Sequence, residues 1–365
     1  MKILLLDTNL SSYPIYEYLV SLGHHVFVAG INPNDCLALR SDNFIEIDYS
    51  NIEAVESVYH KFQIDIVVPG CNDVSYKIAS LFSHKYSLSL NLDTPEINSI
   101  INEKDKFKKF ALDIGLNVPQ PVELNQLTTC KFDKIIIKPT DSFSGKGITI
   151  LSKKNFNKID LALKDAINHS NSQSYIIEEF FEGQLFSHSA FIENGLISQD
   201  FIVEEHCINY QFAVDKSWLI PNNEFVNLEL IREQIMKIVK SLDLCNGLIH
   251  TQFILDKNTI KILEVTRRCP GDLYSLLIEN STGIKYAQRY INYILKINTS
   301  SEKKLTLKKY IRQTVFSSNN VYATLNFISN SKDQKILFYP LEKAGFKNNH
   351  GKNKRTGILF FGLDD

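Results

Sequence analysis

The sequence predicts a protein of mixed α/β and α+β class built from more than one domain. A parallel α/β domain comes first, a larger α+β region follows, and a small C-terminal α+β segment closes the chain. Three observations carry this expectation. Apolar runs alternate with helical stretches over the first 95 residues. Strands and helices then mix without regular alternation to about residue 295. The length of 365 residues suggests two or three domains at roughly 150 residues each.

The elements follow in order. "KILLLD" (2–7) is a continuous apolar run, as expected of a strand buried on both faces. A helical stretch with Tyr16, Leu19 and Val20 follows, and Gly23 is placed to stop it. "HVFVAG" (25–30), "FIEID" (44–48) and "DIVVPG" (65–70) are further strands, and strands alternating with helices predict a parallel sheet. The first strand-to-helix loop, "DTNLSS", lacks G-x-G-x-x-G, so no dinucleotide fingerprint is present. A second unit opens at 93–121. There Phe107, Phe110, Ala111 and Ile114 share one helix face, Gly115 ends the helix, and Pro119 and Pro121 mark an extended exit. "SYIIEEFF" (174–181), "LIHTQFILD" (248–256) and "IKILEV" (260–265) predict strands, and "YSLLIENS" (274–281) begins a helix. In the last 70 or so residues, rich in Lys, Asn and Ser, "VYATLNFI" (321–328) and "GILFFG" (357–362) are strand-like.

Composition narrows the function classes. With 40 basic and 41 acidic residues the net charge is −1, which leaves no electrostatic footprint for nucleic acid. The basic cluster "KKLTLKK" (303–309) is short and reads as a solvated face. None of the six cysteines falls in a C-x-x-C pair, so neither a zinc site nor a disulfide framework is signalled. No stretch approaches 18 apolar residues, so no membrane span is expected. The N-terminus reads as a first strand rather than a signal peptide, and a soluble, cytoplasmic setting is the expectation.

Three features carry chemistry. The first is "IIIKPTDSFSGKGI" (135–148), a strand ending in Lys138-Pro139 and then a loop with Ser142, Ser144, Gly145, Lys146 and Gly147. It is not a Walker A motif, because Gly147 follows Gly145-Lys146 where Ser or Thr is needed, and Thr140 replaces the first glycine. Glycines still let backbone N–H groups approach phosphate. Period-2 alternation sends Ile135 and Ile137 one way and Lys138 the other. Taken alone, the stretch also fits a surface hairpin with a solvated lysine. The second feature, "IIEEFFEG" (176–183), fits either an edge strand or a backbone that reads adenine. The third is "HTQFILDKNTIKILEVTRR" (250–268). A hairpin centred on Asn258 places Gln252 opposite Glu264 and His250 opposite Thr266, all on one face, with Phe253, Leu263 and Val265 on the other. Such a polar face is either exposed to solvent or satisfied by magnesium and nucleotide phosphates.

These features, in this order, resemble the ATP-grasp superfamily over roughly residues 1–295. The resemblance implies an N-terminal α/β domain (1–95) and an ATP-grasp domain (96–295) whose lobes, about 96–175 and 176–295, clasp ATP. A C-terminal segment (296–365) follows. It implies ATP as the nucleotide and Mg2+ as the metal. Lys106 of "EKDKF" matches a phosphate-contacting lysine, and Lys138 matches the strand lysine near adenine and the α-phosphate. Ser144, Gly145, Lys146 and Gly147 match the glycine loop over the β- and γ-phosphates. Glu178, Glu179, Phe180 and Phe181 match the hinge that reads adenine through its backbone. "LEVTRR" matches E-[IV]-N-x-R, which gives Glu264 as a metal ligand and Arg268 as the arginine facing the transferred group. Gln252 and Thr266 occupy the other metal-ligand places. Three departures stand out: Leu185 where a ribose-binding Glu is common, with Gln184 beside it; Thr266 for Asn; and neutral Gln252.

The chemistry implied is that of a carboxylate–amine ligase. A carboxylate attacks the γ-phosphate of Mg-ATP, and an amine then displaces phosphate from the acyl phosphate. The protein's part is positioning and charge neutralisation, with Lys138 and Arg268 as the catalytic candidates. The partners expected are a small-molecule carboxylate and an amine, amino-acid-like in kind, with no nucleic acid and no membrane; a homodimer is compatible. Two other functions stay open, a nucleotide-binding regulatory protein with a weakened metal site and an ATP-dependent kinase. Arg267, Arg268 and "CPGDLY" (269–274) are expected on the acceptor side, and Tyr210, Phe212 and Trp218 form either an aromatic pocket or a packed surface between lobes.

Overall fold

The computed structural model describes residues 1–141, 145–170, 172–298, 307–317, 321–322, 335–342, 346–347 and 354–362. The N-terminal region is a parallel sheet with helices, as its alternation predicts. β1 (Lys2–Leu6), α1 (Tyr13–Ser21), β2 (His25–Gly30), β3 (Phe44–Glu46), α2 (Ile52–Phe62), β4 (Ile66–Pro69) and α3 (Asp73–Lys85) follow one another. The strands lie in the order β3-β2-β1-β4, all parallel. The chain therefore reverses its direction of travel between β1 and β4, and the carboxyl ends of these two strands face the place where open α/β sheets bind ligands. Asn72 caps α3 by accepting from the Ser75 N–H at 2.9 Å, which fixes Asp73 in the first turn.

Two short helices lead out of this domain, α4 (Pro95–Asn102) and α5 (Lys104–Asp113). A three-stranded antiparallel sheet follows, made of β5 (Lys134–Pro139), β6 (Thr149–Ser152) and β7 (Tyr175–Glu179) in the order β6-β5-β7, with α6 (Ile159–Asn168) between β6 and β7 in sequence. Ile135, Ile137, Leu151, Ala162, Ala166 and Ile177 bury its inner face.

The largest layer is an eight-stranded antiparallel sheet. Its strands are β8 (Gln184–Glu193), β9 (Leu196–His206), β10 (Lys216–Ile220), β11 (Gly247–Asp256), β12 (Thr259–Thr266), β13 (Tyr310–Ser317), β15 (Ile336–Pro340) and β17 (Lys354–Gly362). α7 (Leu228–Ser241) precedes β11, and α8 (Tyr274–Thr282) and α9 (Tyr286–Ile294) follow β12. A separate two-stranded ladder pairs β14 (Val321–Tyr322) with β16 (Phe346–Lys347). The large sheet runs β12-β11-β8-β9-β10-β13-β17-β15. The C-terminal residues thus extend this sheet rather than stand apart, and those described contribute strands only. Most of the strand-like stretch 321–328 lies outside the described residues. α8 and α9 join the N-terminal sheet to the large one through a shared core that includes Ile3, Val28, Phe191, Leu277, Tyr286 and Phe360.

The β11–β12 hairpin holds a departure from simple alternation. His250 pairs with Thr266 and Gln252 with Glu264, as the hairpin reading expects. The two-residue turn, however, is Lys257–Asn258, so Asp256 faces Thr259 and Phe253 faces Ile262. A bulge at Leu263 absorbs the difference. One extra residue inverts the in/out pattern below it, so Ile260 and Ile262 bury against Phe253 while Leu263 is only half-buried.

Candidate functional site

The site lies where the outer face of the small sheet, the first turns of α5 and α3, and the exposed row of the β11–β12 hairpin meet. On β5, Ile135 and Ile137 are fully buried, and alternation sends Lys138 to the opposite face. Glu178 of β7 pairs with Ile136 and so shares that face. Its carboxylate, only 2% exposed, is bridged by Lys138 on one oxygen and by Lys108 at 2.6 Å on the other. Burial acts to raise the Glu178 pKa, but the two ammonium groups prevail and hold it below the ordinary range.

Helix α5 contributes two lysines by its phase. Phe107 and Ala111 are buried. At 100° per residue, Lys104 and Lys108 flank that stripe, while Lys106 falls on the far side. Lys104 donates to the carbonyl of Pro139 at 3.1 Å. Its pKa is pushed down by burial and by Lys138, against the pull of Glu264, Asp141 and Glu178. Lys106, matched from sequence to a phosphate contact, is placed elsewhere. It pairs with Glu103 at 2.9 Å and donates to Ser99 at 2.6 Å. The lysine of "EKDKF" that reaches the cluster is Lys104.

The hairpin row supplies the acid groups. The Glu264 side chain is open to solvent, yet the walls of the cleft strip water from around it, and with nearby Asp73 they push its pKa up. Gln252 donates its amide N–H to the Glu205 carboxylate on β9 at 2.6 Å. Burial drives the Glu205 pKa up to about 7, against the influence of Ser187, Arg312 and Gln252. Thr266 donates to Asp73 at 2.9 Å and accepts from the Arg268 N–H at 3.4 Å. Its hydroxyl is therefore tied to Asp73 and Arg268. His250, beneath the row, is buried, hydrogen-bonded to Ser189 at 2.6 Å, and kept neutral because burial and Arg268 lower its pKa to about 3.

Arg268 and its neighbour diverge. Arg268 donates from Nε and Nη2 to the two oxygens of Asp73, at 2.9 and 3.0 Å, a fork on a carboxylate from the N-terminal domain. Arg267 was expected on the acceptor side but points inward. Only 3% exposed, it binds Asp93 and the carbonyls of Leu248 and Cys245, each at 2.6 Å. It is a structural clamp.

The remaining predicted residues have distinct placements. Ser144 lies outside the described residues. Gly145 and Gly147 have φ of +73° and +70°, a region glycine enters without strain. A Cβ on Gly145 would meet Phe212 at 2.9 Å and the Gln211 carbonyl at 3.1 Å, so Gly145 lies against these two residues. Lys146 is exposed beside it. Trp218 stacks on His206 at 4.6 Å. The aromatics are thus packed in separate places. Along the supposed hinge, the Glu179 N–H donates to the Gln120 carbonyl at 2.8 Å and the Phe180 N–H to the Lys134 carbonyl at 3.1 Å. Phe181 lies beyond β7 with the Lys261 ammonium 4.8 Å from its ring centre. Gln184 folds onto the carbonyls of Leu185 and Glu205.

Lys104, Lys108, Asp73 and Glu205 were missed from sequence. The first two had a signal in the helix phase. Asp73 and Glu205 had none, since they meet their partners across 195 and 47 residues of chain.

Comparison with known proteins agrees with this architecture. Residues 101–272 match the model of the ATP-grasp domain. No curated protein matches the chain. Among solved structures, phosphoribosylglycinamide synthetase from Anaerococcus prevotii superposes with a TM-score of 0.75 at 20% identity, covering 100% of this chain and 94% of that one. L-amino acid ligase from Bacillus licheniformis gives 0.76 at 15%, covering 100% and 93%. Biotin carboxylase from Campylobacter jejuni, in complex with β-γ-ATP, gives 0.78 at 13%, covering 100% and 87%. At these identities the likeness is one of fold. The chain has the ATP-grasp fold, and residues 101–272 are the part that matches the ATP-grasp domain model.

Proposed function

We propose that this protein is an ATP-dependent ligase that activates a carboxylate as an acyl phosphate and joins it to an amine. The observation that carries the reading is the meeting of Lys104, Lys138 and Arg268 with the Glu264–Gln252 row, within one ATP-grasp domain. The similar structures include an L-amino acid ligase and a phosphoribosylglycinamide synthetase, which supports C–N bond formation as the reaction class and an amino-acid-like substrate.

Each group has a part in this reading. Lys104 and Lys138 bind phosphate oxygens, with Glu178 and Lys108 fixing the Lys138 ammonium until nucleotide competes for it. Gly145 and Gly147 let the loop backbone close on the phosphates. Arg268, braced by Asp73, faces the transferred group and neutralises charge as it develops. The donors fit Mg2+: Glu264 offers a carboxylate and Gln252 an amide oxygen. Among the described residues, no group of three or more His, Cys, Asp or Glu could hold a metal ion. Mg2+ takes few protein ligands and shares the rest of its coordination with phosphates and water. When bound, Mg2+ would supply charge neutralisation on the phosphate oxygens.

The test is ADP release with a panel of carboxylates and amines, with hydroxylamine added to trap acyl phosphate as hydroxamate. A carboxylate-dependent hydroxamate is expected. ADP formation with an identified carboxylate but no hydroxamate moves the kinase reading ahead. Tight ADP binding with no turnover on any pair favours the regulatory one.

A further inference from the structure

Position 252 lacks the negative charge that would make it a strong metal ligand. The structure shows where a carboxylate stands instead. Glu205 reaches Gln252 from β9, two strands away in the sheet order β12-β11-β8-β9. Glu205 is 4% exposed, and its Oε2 receives the Gln252 Nε2–H at 2.6 Å. An amide has one donor end and one acceptor end. The bond to Glu205 holds the Nε2 end of the Gln252 amide, and the amide oxygen is its other end. Its strand partner across the hairpin is Glu264. The Glu205 carboxyl also lies within electrostatic reach of Glu264 and of the buried Arg312, whose positive charge opposes that of Glu264.

We propose that Glu205 is a positioning residue for the magnesium seat. It fixes the Gln252 amide by accepting its Nε2–H, with the amide oxygen toward the site. Glu205 and Gln252 are then a carboxylate–amide pair in exchanged order, with the acid in the rear and the amide in front. A carboxylate accepting from the Nε2–H polarises the amide and makes its oxygen a better donor to a hard cation. The inference rests on the reading of Glu264 and Gln252 as a magnesium seat, so the experiment separates the two.

The probe is Mn2+, titrated into the full chain with saturating ADP and followed by the electron paramagnetic resonance signal of the free ion. Glu264→Gln tests the seat, and Glu205→Gln tests the positioning role. The double variant Glu205→Gln with Gln252→Glu restores the usual order while preserving the hydrogen bond between the two side chains. Thermal midpoints and ADP affinity without metal report folding and the nucleotide site. We expect Glu205→Gln to weaken Mn2+ binding about tenfold, because a neutral rear partner neither polarises the amide nor forces its orientation. The exchanged double variant should bind Mn2+ at least as tightly as the wild type. Glu264→Gln should weaken it most. Unchanged Mn2+ affinity in Glu205→Gln, with a large loss in Glu264→Gln, overturns the role of Glu205 and leaves the seat standing. A double variant no better than Glu205→Gln also overturns it. Unchanged affinity in Glu264→Gln removes the seat, and this inference with it.

Discussion

Arg267 and Arg268 are adjacent in sequence, and replacing each by methionine should damage the protein in opposite ways. The Arg267 side chain is 2% exposed and its partner Asp93 is fully buried. Removing the guanidinium takes away three hydrogen bonds of 2.6 Å. It leaves Asp93 with neutral donors, among them the Tyr76 hydroxyl at 3.0 Å and the Cys245 N–H at 3.1 Å. Breaking a buried ion pair from one side costs about 3–5 kcal/mol, because the surviving charge is uncompensated. At roughly 2 °C per kcal/mol for a chain of this size, the thermal midpoint should fall by about 6–10 °C. The Arg268 fork rests on an Asp73 that is 49% exposed, so solvent already screens the pair and its loss should cost about 1 kcal/mol or less. In the proposed site Arg268 faces the transferred group, so its loss should instead lower turnover by about 10²- to 10³-fold. The measurements are thermal melts at one scan rate and ADP release with the best substrate pair. If Arg267→Met melts with the wild type while Arg268→Met collapses, the division of labour between the two arginines is wrong.

Two further perturbations test the site and its supports. Lys104→Ala should weaken Mg-ATP binding by about 1.5–3 kcal/mol, while Lys106→Ala leaves it within a factor of two; calorimetry showing the reverse order would return the phosphate contact to Lys106. Asp200 is opposed by burial, yet Arg232 and His188 hold its pKa well below the ordinary range. A carboxylate depressed in the folded state stabilises above its unfolded pKa of about 3.9 and loses that stabilisation as pH falls toward the folded value. The destabilisation caused by Arg232→Ala should therefore be full at pH 7 and shrink below about pH 4. A gap in melting midpoint that stays constant down to pH 3 refutes it.

The sequence by itself determined what depends on neighbours along the chain. The parallel strands of the N-terminal domain stand out because a strand buried on both faces must be continuously apolar, as in "KILLLD" and "HVFVAG". The side of β5 that carries Lys138 follows from a period of two, and the pairing of Gln252 with Glu264 follows from placing a hairpin. The helix phase set by Phe107 and Ala111 also separates Lys104 from Lys106. The bulge at Leu263 was not legible. A one-residue insertion has no local composition of its own, and it is chosen by which isoleucines best fill the core beside Phe253. Tertiary structure alone decided which acids meet these side chains. Asp73 comes to Arg268 from another domain, Glu205 comes to Gln252 from two strands away, and Glu178 is drawn between two lysines. It also turned Arg267 inward to Asp93 while Arg268 faces outward. A carboxylate's role is set by the donor it meets at 2.6–3.0 Å, a neutral amide for Glu205 and a guanidinium for Asp73, and that meeting depends on how the sheets and helices pack, which no local pattern encodes.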